Sequence, residues 1–324
     1  MARLTASRPG ARDRVVPVLW IALAVGTAVA ASVAAGGLPD AGLAVLLAAS
    51  ITRAGMTALG VACVGLALVG VRLPTSGREA AGLARGADRA LVVAAGAWVV
   101  LVLVGIGVRA ADAFGEPLPA LGADQLLRWT TQLAAGRGML LTAGCALVVL
   151  GCVAVRLRDP DRVPARVSLV VALLGVLTPA VTGHASSAPD HQVAVVTVAL
   201  HAGAAALWVG GLGGLLVLVA GRRRLLDETL PRYSRLAGFC VVTVALTGVL
   251  NAGVRMESWG ALLTTGYGAL VLAKAALVVV LGALGALARR RLATGRTPVL
   301  RWAGVEVALM AVTLGVAAAL TQTV

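Results

Sequence analysis

Three histidines lie within 18 positions of one another: His184, His191 and His201. Imidazole is a good ligand for copper, zinc, iron and nickel. His184 and His191 bracket the segment HASSAPDH, which holds no Arg or Lys and whose one charge is Asp190. Two imidazoles and a carboxylate in a loop without cations form a donor set for a transition-metal ion. Met256 is the one methionine placed to add a soft thioether ligand close by. His201 sits ten residues beyond His191 inside an apolar run. An ionisable group in hydrocarbon is costly and reads as functional by default. The plainer alternative is one interhelical hydrogen bond from a neutral ring. The candidate metal ligands are therefore His184, His191, His201, Asp190 and Met256.

Other polar residues interrupt the apolar runs that follow. Trp208 lies on the face of His201, at i+7. Thr243, Thr247 and Asn251 step by four and form a stripe that either lines a path or holds helices together. Lys274 and Glu306 differ in depth by about 15 Å along their helices, too far for a direct pair. Lys274 can snorkel outward, and Glu306 can answer an arginine of a neighbouring loop. Trp208, Asn251 and Lys274 are the candidates for a transport path. The run Gly210-Gly211-Leu212-Gly213-Gly214 either admits a close helix neighbour or hinges its own helix. Cys63, Cys145, Cys152 and Cys240 all fall in apolar segments, so they read as small hydrophobes and imply no disulfide framework. Cys145 and Cys152 share a face, which would also suit a soft metal. No CxxC, Walker or GxSxG sequence occurs, and no nucleophile–base pair supports hydrolysis.

The elements that carry these residues follow from composition. The 324 residues are 59% hydrophobic and 13% charged, where a soluble domain has about 25% charged. Mean hydropathy is +0.94. A soluble enzyme, a disulfide scaffold and a disordered regulator are excluded. Nine segments are long and apolar enough to cross a bilayer: 15–37, 54–71, 90–108, 138–157, 167–183, 192–220, 236–256, 268–288 and 302–320. With no water to satisfy their backbones they must be helices. The expected fold is all-α, a polytopic transmembrane bundle of about nine spans in a lipid bilayer. It divides into a four-span half (1–166) and a five-span half (167–324).

The net charge of +14 first suggests a nucleic-acid partner. Arginine placement removes that reading, because 22 of 27 Arg lie before span 1 or after spans 2, 4, 6 and 8. Positive loops face the cytoplasm, so the N-terminus is expected inside and the C-terminus outside. Span 1 has a basic start like a signal peptide, but its apolar run is longer than such peptides carry, and a retained helix is expected. Residues 41–50 are too short to cross. In 124–137, Leu126, Trp129 and Leu133 oppose Asp124, Arg128 and Arg137, the pattern of an amphipathic helix in the outer interface.

An ordered series of segments resembles one family. Gly183-His184-Ala185, LHAGAAALWVGGLGGLL (200–216), PRYSRLAG (231–238), LTGVLNA (246–252), LLTTGYGALVLAKAAL (262–277), GALARRR (285–291) and the Glu306 helix occur in one order. Together they resemble the copper resistance protein D (CopD) family. Before residue 180 the likeness rests on hydropathy and on QLLRW and GRGMLL (125–141). The resemblance implies a multi-pass protein of the bacterial inner membrane that moves copper, in uptake or in resistance. It implies a periplasmic copper-binding CopC-like partner and puts weight on His184, His191 and His201. It also marks Asn251, Tyr267 and Lys274 as family-pattern positions. The sequence holds no Met/His-rich copper tract. Two other readings stand beside transport: a haem-binding electron carrier, and a copper-delivery or assembly factor without flux.

Overall fold

Apolar runs that cannot bond their backbones to solvent close them internally as helices, and they do so throughout the described residues. The computed structural model describes residues 11–34, 43–72, 77–182, 191–255, 264–294 and 300–320. It is all-α, with no strand among the described residues. The helices are α1 (Ala11–Ala34), α2 (Leu43–Arg72), α3 (Arg78–Phe114), α4 (Ala123–Gln132) and α5 (Ala134–Arg158). They continue with α6 (Ala165–Thr182), α7 (His191–Leu218), α8 (Arg223–Arg255), α9 (Gly266–Ala293) and α10 (Leu300–Leu320).

Six of them contain stretches long and apolar enough to cross a membrane: Leu47–Arg72, Glu79–Phe114, Ala134–Arg158, Gln192–Leu218, Arg223–Gly253 and Val271–Ala288. Helices α1, α6 and α10 carry shorter apolar stretches, Leu19–Ala30, Ala165–Pro179 and Gly304–Thr313. Each of the nine anticipated spans thus coincides with an apolar helix, and six reach crossing length among the described residues.

Two boundaries differ from expectation for one reason. Residues 43–50 are not a separate short stretch but the first turns of α2. Nothing between Leu43 and Arg72 breaks a helix: there is no proline, and isolated glycines cost only about 1 kcal/mol each. The arginine-rich linker after span 2 is likewise largely helical, because REAAGLARGADRA is built from strong helix formers and α3 starts at Arg78.

Packing divides into two apolar cores joined by α7. The first gathers α2, α3, α5 and α6 around Trp98, which is 1% exposed. A side chain at Gly60 or Gly175 would run into the Trp98 ring. The second gathers Trp208, Leu212, Tyr233, Cys240, Leu281 and Met310 from α7 to α10. Between the cores α7 lies directly on α2. A Cβ at Gly65 would fall on the Gly210 carbonyl, and Gly214 faces the Gly65 backbone. The glycine run therefore serves close approach, and α7 continues through it without a hinge.

Helix α4 lies where an amphipathic segment was expected, with a different inner face. Leu126 and Trp129 join the first core, while Leu133 is exposed. The chain turns extended at Leu133 before α5 begins, so the helical face does not reach it. Trp129 is therefore a core residue rather than a surface anchor. Gly136 lets α5 start against it, since any side chain there would meet the Trp129 carbonyl.

At the arginine-rich end, Arg156 of α5 is more than a topology signal. Its Nε lies 3.1 Å from Asp88 Oδ1 of α3 and its Nη2 3.3 Å from Oδ2. Nη1 donates to the Val163 carbonyl at 2.7 Å. The two side chains are only 9% and 10% exposed, so one guanidinium ties α3, α5 and the turn into α6.

Candidate functional site

Helices α7 and α8 run antiparallel, and each carries polar residues four apart on the facing side. Residues four apart on a helix lie one above the other, so the two pairs meet rung by rung. On the outer rung, nearer the arginine-poor end, the Thr197 hydroxyl donates to Asn251 Oδ1 at 2.8 Å. On the next rung His201 Nδ1 lies 3.0 Å from Thr247 Oγ1. Thr197 and Thr247 are buried, and His201 and Asn251 half-buried. The third member of the α8 stripe, Thr243, bonds its own helix at the Phe239 carbonyl and faces outward. The stripe therefore mates α8 to α7 at two positions of three.

A third helix closes the cluster. Lys274 Nζ of α9 lies 3.4 Å from His201 Nε2. Lys274 thus reaches toward α7, a direction that the anticipated outward snorkel did not include. One proton arrangement satisfies every group. The Thr247 hydroxyl donates to the Thr243 carbonyl at 2.6 Å and so accepts from His201 Nδ1–H. Nε2 then keeps its lone pair and accepts from the Lys274 ammonium, which can only donate. This tautomer is assigned from the network. His201 stands about 15 Å along α7 from its first residue, well inside a membrane-length helix.

The other anticipated site residues divide into three groups. His184, Asp190 and Met256 lie outside the described residues, and His191 opens α7. Trp208 is buried in the second core, and its carbonyl accepts from the Tyr233 hydroxyl at 2.5 Å. Glu306 of α10 lies beside Gly285, eleven residues beyond Lys274 on α9, consistent with the expected separation. All four cysteines are free, and Cys145 packs against Gly175. Among the described residues no group of three or more His, Cys, Asp or Glu is close enough to hold a metal ion. Tyr233 is not singled out by residue spacing; its signal is an aromatic within PRYSRLAG facing the glycine run of the preceding helix, where Gly211 makes room for its ring.

Chemically the cluster offers one imidazole lone pair, two hydroxyls, an amide and one ammonium, inside an apolar bundle.

The fold and this cluster define a multi-pass, all-α membrane protein with a polar histidine station among its carboxy-terminal helices. Residues 227–320 match the family model described as copper resistance protein D. Residues 39–192 match that described as copper resistance protein D-like, N-terminal domain. The chain belongs to the copper resistance protein D family. It is similar to the copper transport protein CutJ of Bacillus subtilis (strain 168), 32% identical over 148 residues, which cover 42% of this chain and 27% of CutJ. The match thus spans about a quarter of that relative's length. No solved structure matches the chain.

Proposed function

We propose that the protein carries copper ions across the bacterial plasma membrane, in uptake or resistance, and that His201 is the intramembrane station. In this reading His184 and His191, with Asp190 or Met256, capture the ion on the external side in the orientation that the arginine distribution favours. The ion then passes to His201 between α7, α8 and α9. Asn251 and Trp208 lie above and below it on the route, and Lys274 borders it. The observation that carries the reading is His201 itself. It is an imidazole deep in a membrane-length helix whose neighbours hold one nitrogen and leave the other with a lone pair. Family membership and the likeness to a copper transport protein support copper as the cargo. A periplasmic CopC-like protein fits as the external donor or acceptor. No catalysis is assigned.

The test is copper flux into proteoliposomes containing the purified chain, beside protein-free vesicles. Transport predicts copper in the lumen at a rate that scales with protein content. Bound copper without luminal accumulation would replace it with a delivery or assembly role. A haem absorption spectrum of the purified protein would favour electron transfer.

A further inference from the structure

The first core brings two methionines together from distant parts of the chain. The sequence holds five methionines, and two of them, Met56 of α2 and Met139 of α5, converge on one bare position of α3. Helix α3 packs against both α2 and α5. A Cβ at Gly105 would stand 3.1 Å from Met139 Cε and 3.2 Å from Met56 Sδ. Gly105 is buried, Met139 is 6% exposed and Met56 is half-buried. We propose that Met56 and Met139 form a binding site for a soft, singly charged metal ion, copper(I) or its analogue silver(I), cradled by Gly105 in the half of the bundle away from the arginine-rich loops.

The donor set decides the ion. Thioether sulfur is a soft, neutral ligand, and such ligands select copper(I). Hard cations such as magnesium and calcium take oxygen ligands instead. Because neither methionine carries a charge, a bound ion keeps all of its own among apolar neighbours. The cost of taking an ion out of water grows steeply with its charge, which sets a divalent ion at a disadvantage. Arg53, three residues before Met56, and Arg109, four residues after Gly105, bring positive charge to the same end of α2 and α3. Their repulsion weighs twice as heavily on a divalent ion as on a monovalent one. Methionine also has the mobility the site needs, with three rotatable bonds in its side chain. Turning the last of these in Met139 swings its methyl group off the shared spot and presents its sulfur toward Met56. Gly105 matters because any side chain there would fill the place where the two methionines converge. The site lies on α2, α3 and α5 and does not depend on His201 of α7. Apolar packing would be served equally well by leucine at both positions, and that difference is what an experiment can read.

The test uses the full-length protein in detergent, in a background of His184→Ala, His191→Ala, His201→Ala and Met256→Leu that removes the other proposed ligands. Binding of copper(I) under reducing conditions, and of silver(I), is measured by competition with a chromophoric chelator. Met56→Leu and Met139→Leu nearly conserve volume, a change that cores tolerate. Each should weaken one bound equivalent by at least about tenfold, the loss that even milder changes cause at metal sites. Met310→Leu, an equally buried methionine of the second core, should leave that equivalent unchanged. Gly105→Ala should weaken it with both sulfurs still present, and zinc(II) should not compete for it. A second readout sees the ligands directly. In protein labelled with selenomethionine, X-ray absorption at the copper edge should show selenium beside the metal. That signal should vanish in the Met56→Leu, Met139→Leu double variant, and packing alone would not produce it. Copper(I) and silver(I) binding that is the same with and without the two methionines overturns the site while leaving the His201 station intact. A copper edge without selenium neighbours does the same. Equal losses in Met310→Leu would mark a general effect of core substitution and overturn it as well.

Discussion

His201 and Thr247 meet at 3.0 Å although 46 residues separate them in sequence. Each stands one turn along its helix from a second polar partner, so α7 and α8 are joined by a two-rung ladder with Asn251 and Thr197 as the other rung. The ladder does more than bind two helices. It spends the Nδ1 proton of His201 and turns the Nε2 lone pair toward α9.

Removing the lower rung should therefore damage both stability and the orientation of the ring. Thr247→Val is expected to cost about 1 kcal/mol, the usual worth of an interhelical hydrogen bond in a membrane protein. Unfolding in mixed micelles measures it, and copper binding should weaken in parallel. Thr247→Ser should restore both.

The Asp88–Arg156 pair should behave as a buried ion pair rather than a surface one. Truncation of one partner leaves an unpaired charge and costs about 3–5 kcal/mol, so Asp88→Ala should sharply reduce the yield of folded protein. Replacing both residues with apolar side chains of similar size should recover much of that loss. Thermal unfolding in detergent compares the two. If the single and double variants are equally unstable, the pair does not act as a buried clamp.

Glycines of the two helices that meet here, α2 and α7, should differ widely in tolerance. A methyl group at Gly65 would strike the Gly210 backbone, whereas Gly213 has nothing within 4 Å of where its Cβ would stand. Gly65→Ala should lower stability by about 1–3 kcal/mol, the typical cost of overpacking. Gly213→Ala should be neutral or slightly stabilising, as alanine favours helix. Equal effects would show that α2 and α7 do not touch as described.

Much of this was legible in the sequence, for stated physical reasons. Apolar runs must become helices in a membrane, so the nine apolar helices followed from hydropathy, and His201 stood out because an ionisable group there is costly. Rise per residue gave depth, which is why Lys274 and Glu306 were rightly kept apart. Depth does not give direction, and the reach of Lys274 toward His201 depends on how α9 packs against α8 and α10. Counting arginines gave a topology but was blind to Arg156, whose partner Asp88 lies 68 positions away. The continuation of α2 through residues 43–50 follows from the absence of helix breakers, which span length alone does not reveal. The glycine run left two readings open, and only the approach of Gly65 to Gly210 separates them.

The central claim is that copper crosses by way of His201. Its most direct test is copper accumulation in membrane vesicles carrying wild-type protein or His201→Ala, normalised to the amount of inserted protein. The variant should insert normally and accumulate no more copper than vesicles lacking the protein. Accumulation at the wild-type rate by His201→Ala, at equal amounts of inserted protein, would contradict it.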